Sequence, residues 1–192
     1  MTRPATNLVI PVGPADHILG NPYAKLTLVE YGDYACPYSR HAFGTVAVIR
    51  RRLGGQLRFI FRHFPVVDRD PLAQEAAEAA FAAGAQGRFW EAYDRLFSED
   101  LESLLADPAA MAQQLGIDAT RFTSELRDGT YRVAVEQEAQ GGVRSGVHGT
   151  PSFFINGVRF TGSWELHTLL HALRTRLRTL PVSHPVVSAA TL

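Results

Sequence analysis

A cysteine followed at once by proline stands where a run of β-branched and aromatic residues gives way to a helical pattern. This is Cys36, in the tetrapeptide Cys36-Pro37-Tyr38-Ser39. Pro37 suits the first helical position, which puts Cys36 at the helix N-terminus. There, unpaired backbone N–H groups and the helix dipole favour thiolate, the nucleophilic form, over thiol. The spacing is that of a Cys-X-X-Cys redox pair with the second sulfur replaced by the oxygen of Ser39. From one helical turn below, Ser39 can hydrogen-bond the Cys36 thiolate. The chain holds one cysteine in 192 residues, which excludes an internal disulfide and a multi-thiolate zinc site. The competing reading of Cys36 is a small buried hydrophobe that happens to begin a helix.

Other residues bear on that choice. Glu30 lies six positions before Cys36, in the otherwise apolar run Leu26-Thr-Leu-Val-Glu-Tyr31. A carboxyl there faces solvent at a sheet edge, is hydrogen-bonded, or serves as a proton carrier. Gly149-Thr150-Pro151 directly precedes an apolar strand pattern. Its proline marks either a plain loop boundary or a cis bond that brings the Thr150 backbone beside the thiol to pair with an extended peptide. His148 adjoins that loop and is a candidate to line the site. His41 and His63 could tune Cys36, although a solvated or core position suits each better. Seven histidines without acidic or sulfur neighbours at ligand spacing make no metal site. Phe89, Trp90, Tyr93 and Phe97, at helical spacing, read as core packing.

These residues need elements to hold them. Residues 1–25 are Pro-rich and read as an irregular surface arm. Leu26–Tyr31 reads as a strand ended by Gly32-Asp33. Cys36–Leu53 is a helix, with Phe43, Val46, Ala47 and Ile49 approximating its stripe and Gly54-Gly55 stopping it. Leu57–Phe61, nearly all apolar, is a strand buried on both faces. The three form a βαβ unit. An all-helical block follows. Asp70-Pro71 opens an Ala-rich helix running to Gly84, and Arg88–Phe97 forms the next. Asp107-Pro108 opens another that ends at Gly116; Phe122 and Leu126 mark a short one, and Thr130 caps a longer one. Strand character returns at Ser152–Ile155, and Asn156-Gly157 offers a two-residue type I′ turn into Val158–Phe160. Trp164–Leu177 is a final amphipathic helix, and the tail after Leu180 is expected to fray.

Hydrophobic content of 46% and charged content of 20% suit one globular domain with a sizeable insertion. Nineteen basic residues balance nineteen acidic ones, so no net field draws the chain to nucleic acid or an anionic membrane. The run Arg50-Arg51-Arg52 reads as a solvated helix end. Leu8–Val12 is broken by Pro11 and is too short for a secretory signal, and no segment reaches the length of a membrane span. The expected location is cytoplasmic, with a periplasmic or other extracytoplasmic one as the alternative if a signal peptide has been removed.

Four stretches occur in order: Val29-Glu-Tyr-Gly-Asp-Tyr-Ala-Cys-Pro-Tyr38, Phe61-Arg-His-Phe-Pro65, Gln86-Gly-Arg-Phe-Trp-Glu91 and Gly146-Val-His-Gly-Thr-Pro-Ser-Phe-Phe-Ile-Asn-Gly157. Together, from about Asp16 to about Leu177, they resemble the DsbA-like thioredoxin-fold thiol–disulfide oxidoreductases. The resemblance implies an α/β thioredoxin fold, βαβ–ββα around a central mixed sheet, with an all-helical insertion. It places the thioredoxin core at 16–66 and 146–178, the inserted helical domain at 67–145, and arms at 1–15 and 180–192. It makes Cys36 the attacking cysteine and Glu30 the proton-shuttling acid. Pro37, Tyr38, His148, Thr150 and Pro151 then contact substrate, with Thr150-Pro151 as the cis-proline dipeptide. Ser39 is the departure, because it stands where the family has its resolving cysteine.

Four readings follow for a site without that second sulfur. A monothiol enzyme would attack substrate disulfides and be released by glutathione or by the substrate's own second cysteine. An engineered Cys-to-Ser form would trap the mixed disulfide of a dithiol enzyme. A glutathione-dependent transferase or isomerase and a redox-silent peptide-binding or chaperone module complete the set. The expected partners are protein or peptide thiols and disulfides, with glutathione as a candidate co-substrate and no resident cofactor.

Overall fold

The strand pattern of the βαβ unit is realised around a five-stranded mixed sheet. In the computed structural model, which describes residues 7–180, β2 (Leu26–Gly32) and β3 (Leu57–His63) run parallel in the middle. Helix α1 (Pro37–Leu53) joins them. β4 (Ser152–Ile155) pairs antiparallel with β2, and β5 (Val158–Phe160) with β4. The sheet order β1-β3-β2-β4-β5 is completed by β1 (Ile18–Gly20), antiparallel to β3. All seven residues of β2 are buried, as expected of a central strand covered on both faces. Asn156 and Gly157 turn β4 into β5 with φ of 48° and 80°, the left-handed pair a type I′ turn requires.

Residues 64–151 form a single excursion between β3 and β4. It carries six helices: α2 (Leu72–Gly84), α3 (Phe89–Ser98), α4 (Leu101–Ala106), α5 (Pro108–Leu115), α6 (Ala119–Arg127) and α7 (Arg132–Arg144). The last described element is α8 (Leu166–Thr179). In α2 the residues Ala76, Ala79, Ala80 and Ala83 are fully buried, and side chains this small let α3 and α6 approach closely. Phe89, Tyr93 and Phe97 are core residues, as their spacing implies. The fold is the thioredoxin arrangement with a helical insertion.

Several local expectations need correction. The first 25 residues are not all irregular: Ile18–Gly20 adds an edge strand, too short to show a periodic pattern. Asp70 is not the N-cap: Pro71 is, with the helix starting at Leu72, and the Asp70 carboxylate instead accepts from the Leu72 amide at 2.9 Å in the turn before it. Helix α4 had no sequence forecast, although Asp100 caps it by accepting from the Ser103 amide at 2.9 Å. Thr130 does not cap α7. Its amide donates to Glu125 O at 3.0 Å, and Gly129 at φ 62° helps to close α6, so Thr130 belongs to a helix stop. The last helix begins at Leu166, two residues later than its pattern suggests. Of the expected arms, residues 1–6 and 181–192 lie outside the described residues.

The N-terminal segment is fastened by a buried ion pair. Arg62 of β3 donates from Nε to Asp16 Oδ1 at 2.7 Å and from Nη2 to Asp16 Oδ2 at 2.9 Å. It also donates to the carbonyls of Ile10 and Pro11 and to the Tyr31 hydroxyl. Removing one member strands a buried charge, whereas removing both does not. Asp16→Ala is therefore expected to lower unfolding stability by about 3–5 kcal/mol. In urea titrations the Asp16→Ala/Arg62→Leu double variant should lose less than the single one.

Candidate active site

Cys36 is the N-cap of α1, with extended backbone (φ −76°, ψ 120°) and Pro37 in the first turn. Its carbonyl accepts the first helical hydrogen bond, from Arg40 N at 3.0 Å. The sulfur is half-buried and opens into a cavity of about 170 Å³ walled by Tyr38, Val66, Arg69, Asp70 and Thr150. Cys36 Sγ donates to the Thr150 carbonyl oxygen at 3.4 Å. The Thr150–Pro151 bond is cis, and β4 begins at the next residue. The strand that pairs with β2 thus delivers the Thr150 backbone to the sulfur, as the cis-bond reading of this loop expects.

The loop carrying Cys36 is held by Asp33. Its Oδ1 accepts from Ala35 N at 2.9 Å and its Oδ2 from Val66 N at 3.0 Å, while its carbonyl accepts from Cys36 N at 3.1 Å. Burial raises the Asp33 carboxyl, and the backbone donors at Val66 and Ala35 pull it back. Ser39 is fully buried, and its hydroxyl accepts from Asp33 N at 3.3 Å. The expected hydrogen bond from Ser39 to the Cys36 sulfur is not formed. The hydroxyl is engaged by the loop that presents the cysteine, so Ser39 braces the site from beneath.

Glu30 is fully buried on β2, between Phe61 of β3 and Phe153 of β4. This rules out a solvent-facing edge position. Neither carboxyl oxygen has a protein partner, and burial pushes its pKa up to about 8. A side chain on Gly32 would collide with the Phe61 ring and come within 3.1 Å of Glu30 Oε1. The carboxyl therefore reaches along β2 toward the end from which Cys36 projects, and only glycine leaves it room.

The remaining candidates separate. Pro37 and Tyr38 flank the sulfur, with Tyr38 well exposed. His148 is exposed and does not line the cavity over Cys36. His41 is on the surface, 3.7 Å from Glu165 and edge-on to Trp164. His63 is buried: Nδ1 lies 2.7 Å from Glu138 Oε2, and Nε2 lies 3.3 Å from the Tyr34 hydroxyl. Sequence reasoning missed Asp33, Arg69 and Asp70 as parts of the site. Asp33 had a local signal, a short acid in the turn just before the cysteine. Arg69 and Asp70 come from the loop after β3, which only the tertiary fold brings to the sulfur.

The thioredoxin family profile matches residues 13–174, and the chain belongs to that family, in the DsbA-like form of its fold. Among curated relatives, the Na(+)/H(+) antiporter NhaA 1 of Salinispora arenicola is 40% identical over 178 residues, covering 90% of this chain and 27% of the antiporter. The chain thus spans little more than a quarter of such a relative. A solved thioredoxin-like oxidoreductase from Silicibacter pomeroyi is 26% identical, with a TM-score of 0.74 over 88% of this chain and 95% of that one. The solved alpha-DsbA1 of Wolbachia pipientis is 21% identical, with a TM-score of 0.71 over 91% and 98% of the two chains. That last likeness is one of fold.

A carboxyl raised by burial costs stability once the unfolded chain can ionise it and the folded chain cannot. For Glu30 this loss begins near the ordinary value of 4.5 and is complete above about 8. Glu30→Gln should therefore match the parent near pH 4 and gain on it steadily to about pH 8.5. Urea unfolding across that range reads the difference; a gap that stays constant with pH would remove the buried-acid assignment.

Proposed function

We propose that the chain is a monothiol thiol–disulfide oxidoreductase acting on protein or peptide disulfides. The observation that carries this reading is the Cys36 sulfur at a helix N-terminus, 3.4 Å from the Thr150 carbonyl at the mouth of a cavity. A substrate peptide pairing with the Thr150 backbone would set its own sulfur beside Cys36. The Cys36 thiolate attacks one substrate sulfur, the substrate S–S bond breaks, and the departing sulfur leaves as a thiolate that takes up a proton. Glu30 is the proton carrier for this exchange, taking the Cys36 proton when the thiolate forms. Ser39 supplies no sulfur to displace the substrate, so the mixed disulfide waits for an outside thiol. Glutathione or a second cysteine of the substrate fills that role, with the freed partner leaving as a thiol.

What the chain shares with the antiporters is the portion that carries this site. No described helix is long and apolar enough to cross a membrane.

Oxidised glutathione should convert the protein to a one-to-one adduct by intact-mass measurement, and Cys36→Ala should give none. Ser39→Cys places a second sulfur one turn from the first, and should form an internal disulfide and catalyse insulin reduction. A folded Ser39→Cys protein that stays inactive would set the oxidoreductase reading aside.

A further inference from the structure

Proton traffic at Glu30 raises a difficulty that the cavity over Cys36 does not solve. A substrate held covalently at Cys36 covers that cavity, while Glu30 must still exchange its proton with solvent. A second hydrogen-bonded chain runs from the same part of the core to a different cleft. Tyr34, from the loop that bears Cys36, reaches His63 Nε2 with its hydroxyl at 3.3 Å. His63 Nδ1 lies 2.7 Å from Glu138 Oε2 on α7. Glu138 is partly exposed and lines a cleft of about 320 Å³ with Arg62, Asp16 and Tyr31. The two cavities share no lining residue.

We propose that Tyr34, His63 and Glu138 form a proton route between Glu30 and this second cleft, open while substrate occupies Cys36. The inference rests on Glu30 being the proton carrier of the site. At the inner end, three buried oxygens have no protein partner: both of Glu30 and the hydroxyl of Tyr93. Glu30 acts on both Tyr34 and Tyr93, and a water held among these unpartnered atoms would complete the proposed route from Glu30 to the Tyr34 hydroxyl.

The polarity of the chain is set by its outer end. The Glu138 carboxylate accepts from His63 N at 2.7 Å as well as from the ring. With Nδ1–H donated to Glu138, Nε2 is left to accept from the Tyr34 hydroxyl. An outward transfer then balances. The Glu30 proton passes through the water to Tyr34 Oη as the Tyr34 proton moves to His63 Nε2. The Nδ1 proton moves to Glu138, which sheds it into the cleft. Glu30 ends as carboxylate, and Tyr34 and His63 end neutral with the chain reversed, ready for inward reloading.

Other charges bear on these groups. His17, from the N-terminal segment, is close to both His63 and Glu138 and is itself acted on by Asp16, and it stacks on Phe89. Asp94 acts on Tyr34 and Tyr93 from α3, and Arg50 acts on Tyr93 from α1. Burial holds the Tyr34 phenol well above its ordinary value, which keeps it a donor throughout.

Stopped-flow mixing of the reduced protein with the aromatic disulfide 5,5′-dithiobis(2-nitrobenzoate), whose departing thiolate stays ionised so that the Cys36 proton passes to solvent, followed by a pH-indicator dye, tests the route. The rate of proton release into solvent is expected to fall at least about tenfold in Tyr34→Phe and in Glu138→Gln, the lower edge of what a positioned proton-transfer group contributes. Each substitution keeps the packing, and Gln also keeps an acceptor for His63. The solvent deuterium isotope effect should rise in both. His63→Ala should be slow and recover as imidazole is added. Proton release at the parental rate in Tyr34→Phe and Glu138→Gln would overturn the route. If Glu30→Gln also releases protons at the parental rate, Glu30 itself is not the carrier and the underlying reading fails; if only Glu30→Gln is slow, the route alone fails.

Discussion

The carboxylate of Asp33 ties together three segments that the chain brings from different directions. It receives amides from Ala35, just before the helix, and from Val66, in the loop after β3, while its own amide donates to Ser39 inside α1. Its carbonyl takes the Cys36 amide. Each contact satisfies a buried polar group that would otherwise cost free energy. Together they fix where the sulfur points. The exposed Tyr38 and the wall formed by Arg69 and Asp70 are arranged around a cysteine whose backbone Asp33 has already placed.

The sheet supplies the other half of the geometry. β4 lies beside β2, so the residues just before β4 come to the end of β2 where Cys36 projects. Tyr31 pairs with Ser152 in that register, and two residues before Ser152 the Thr150 carbonyl meets the sulfur. A shift of one residue would exchange the faces of Phe153 and Phe154, which serve different cores. Packing of the aromatic layers thus holds the backbone of the site in place.

Much of this was legible in the residues. The βαβ unit, the Asn156-Gly157 hairpin and the Asp107-Pro108 helix start are local signals whose chemistry is satisfied within a few residues of chain. Cys36 at a helix start and Glu30 in an apolar strand were legible for the same reason. β1 was not, because three residues give no period and its pairing with β3 is a tertiary event. Thr130 misled because the Schellman-type stop of α6 uses the residue that sequence assigns to the next start. Ser39 was expected to face the sulfur; the buried Asp33 amide needed an acceptor, and the nearest hydroxyl supplied it. Arg69 and Asp70 reach the site only through the fold, and Glu138 meets His63 across 75 positions of sequence.

The long excursion between β3 and β4 also bears on how the molecule is made. During synthesis, β2, α1 and β3 can form their parallel pair well before Ser152 is made. The inner edge of β2 then stays unpaired through the 88 positions of residues 64–151, until Ser152–Ile155 arrives. An open, largely apolar strand edge of that kind is a template for pairing with another chain. Glu30 sits in the middle of it, and on a nascent edge still open to water it is ionised. The residue that ends as a buried acid would then begin as a charged gatekeeper, guarding the half-made sheet until β4 covers it.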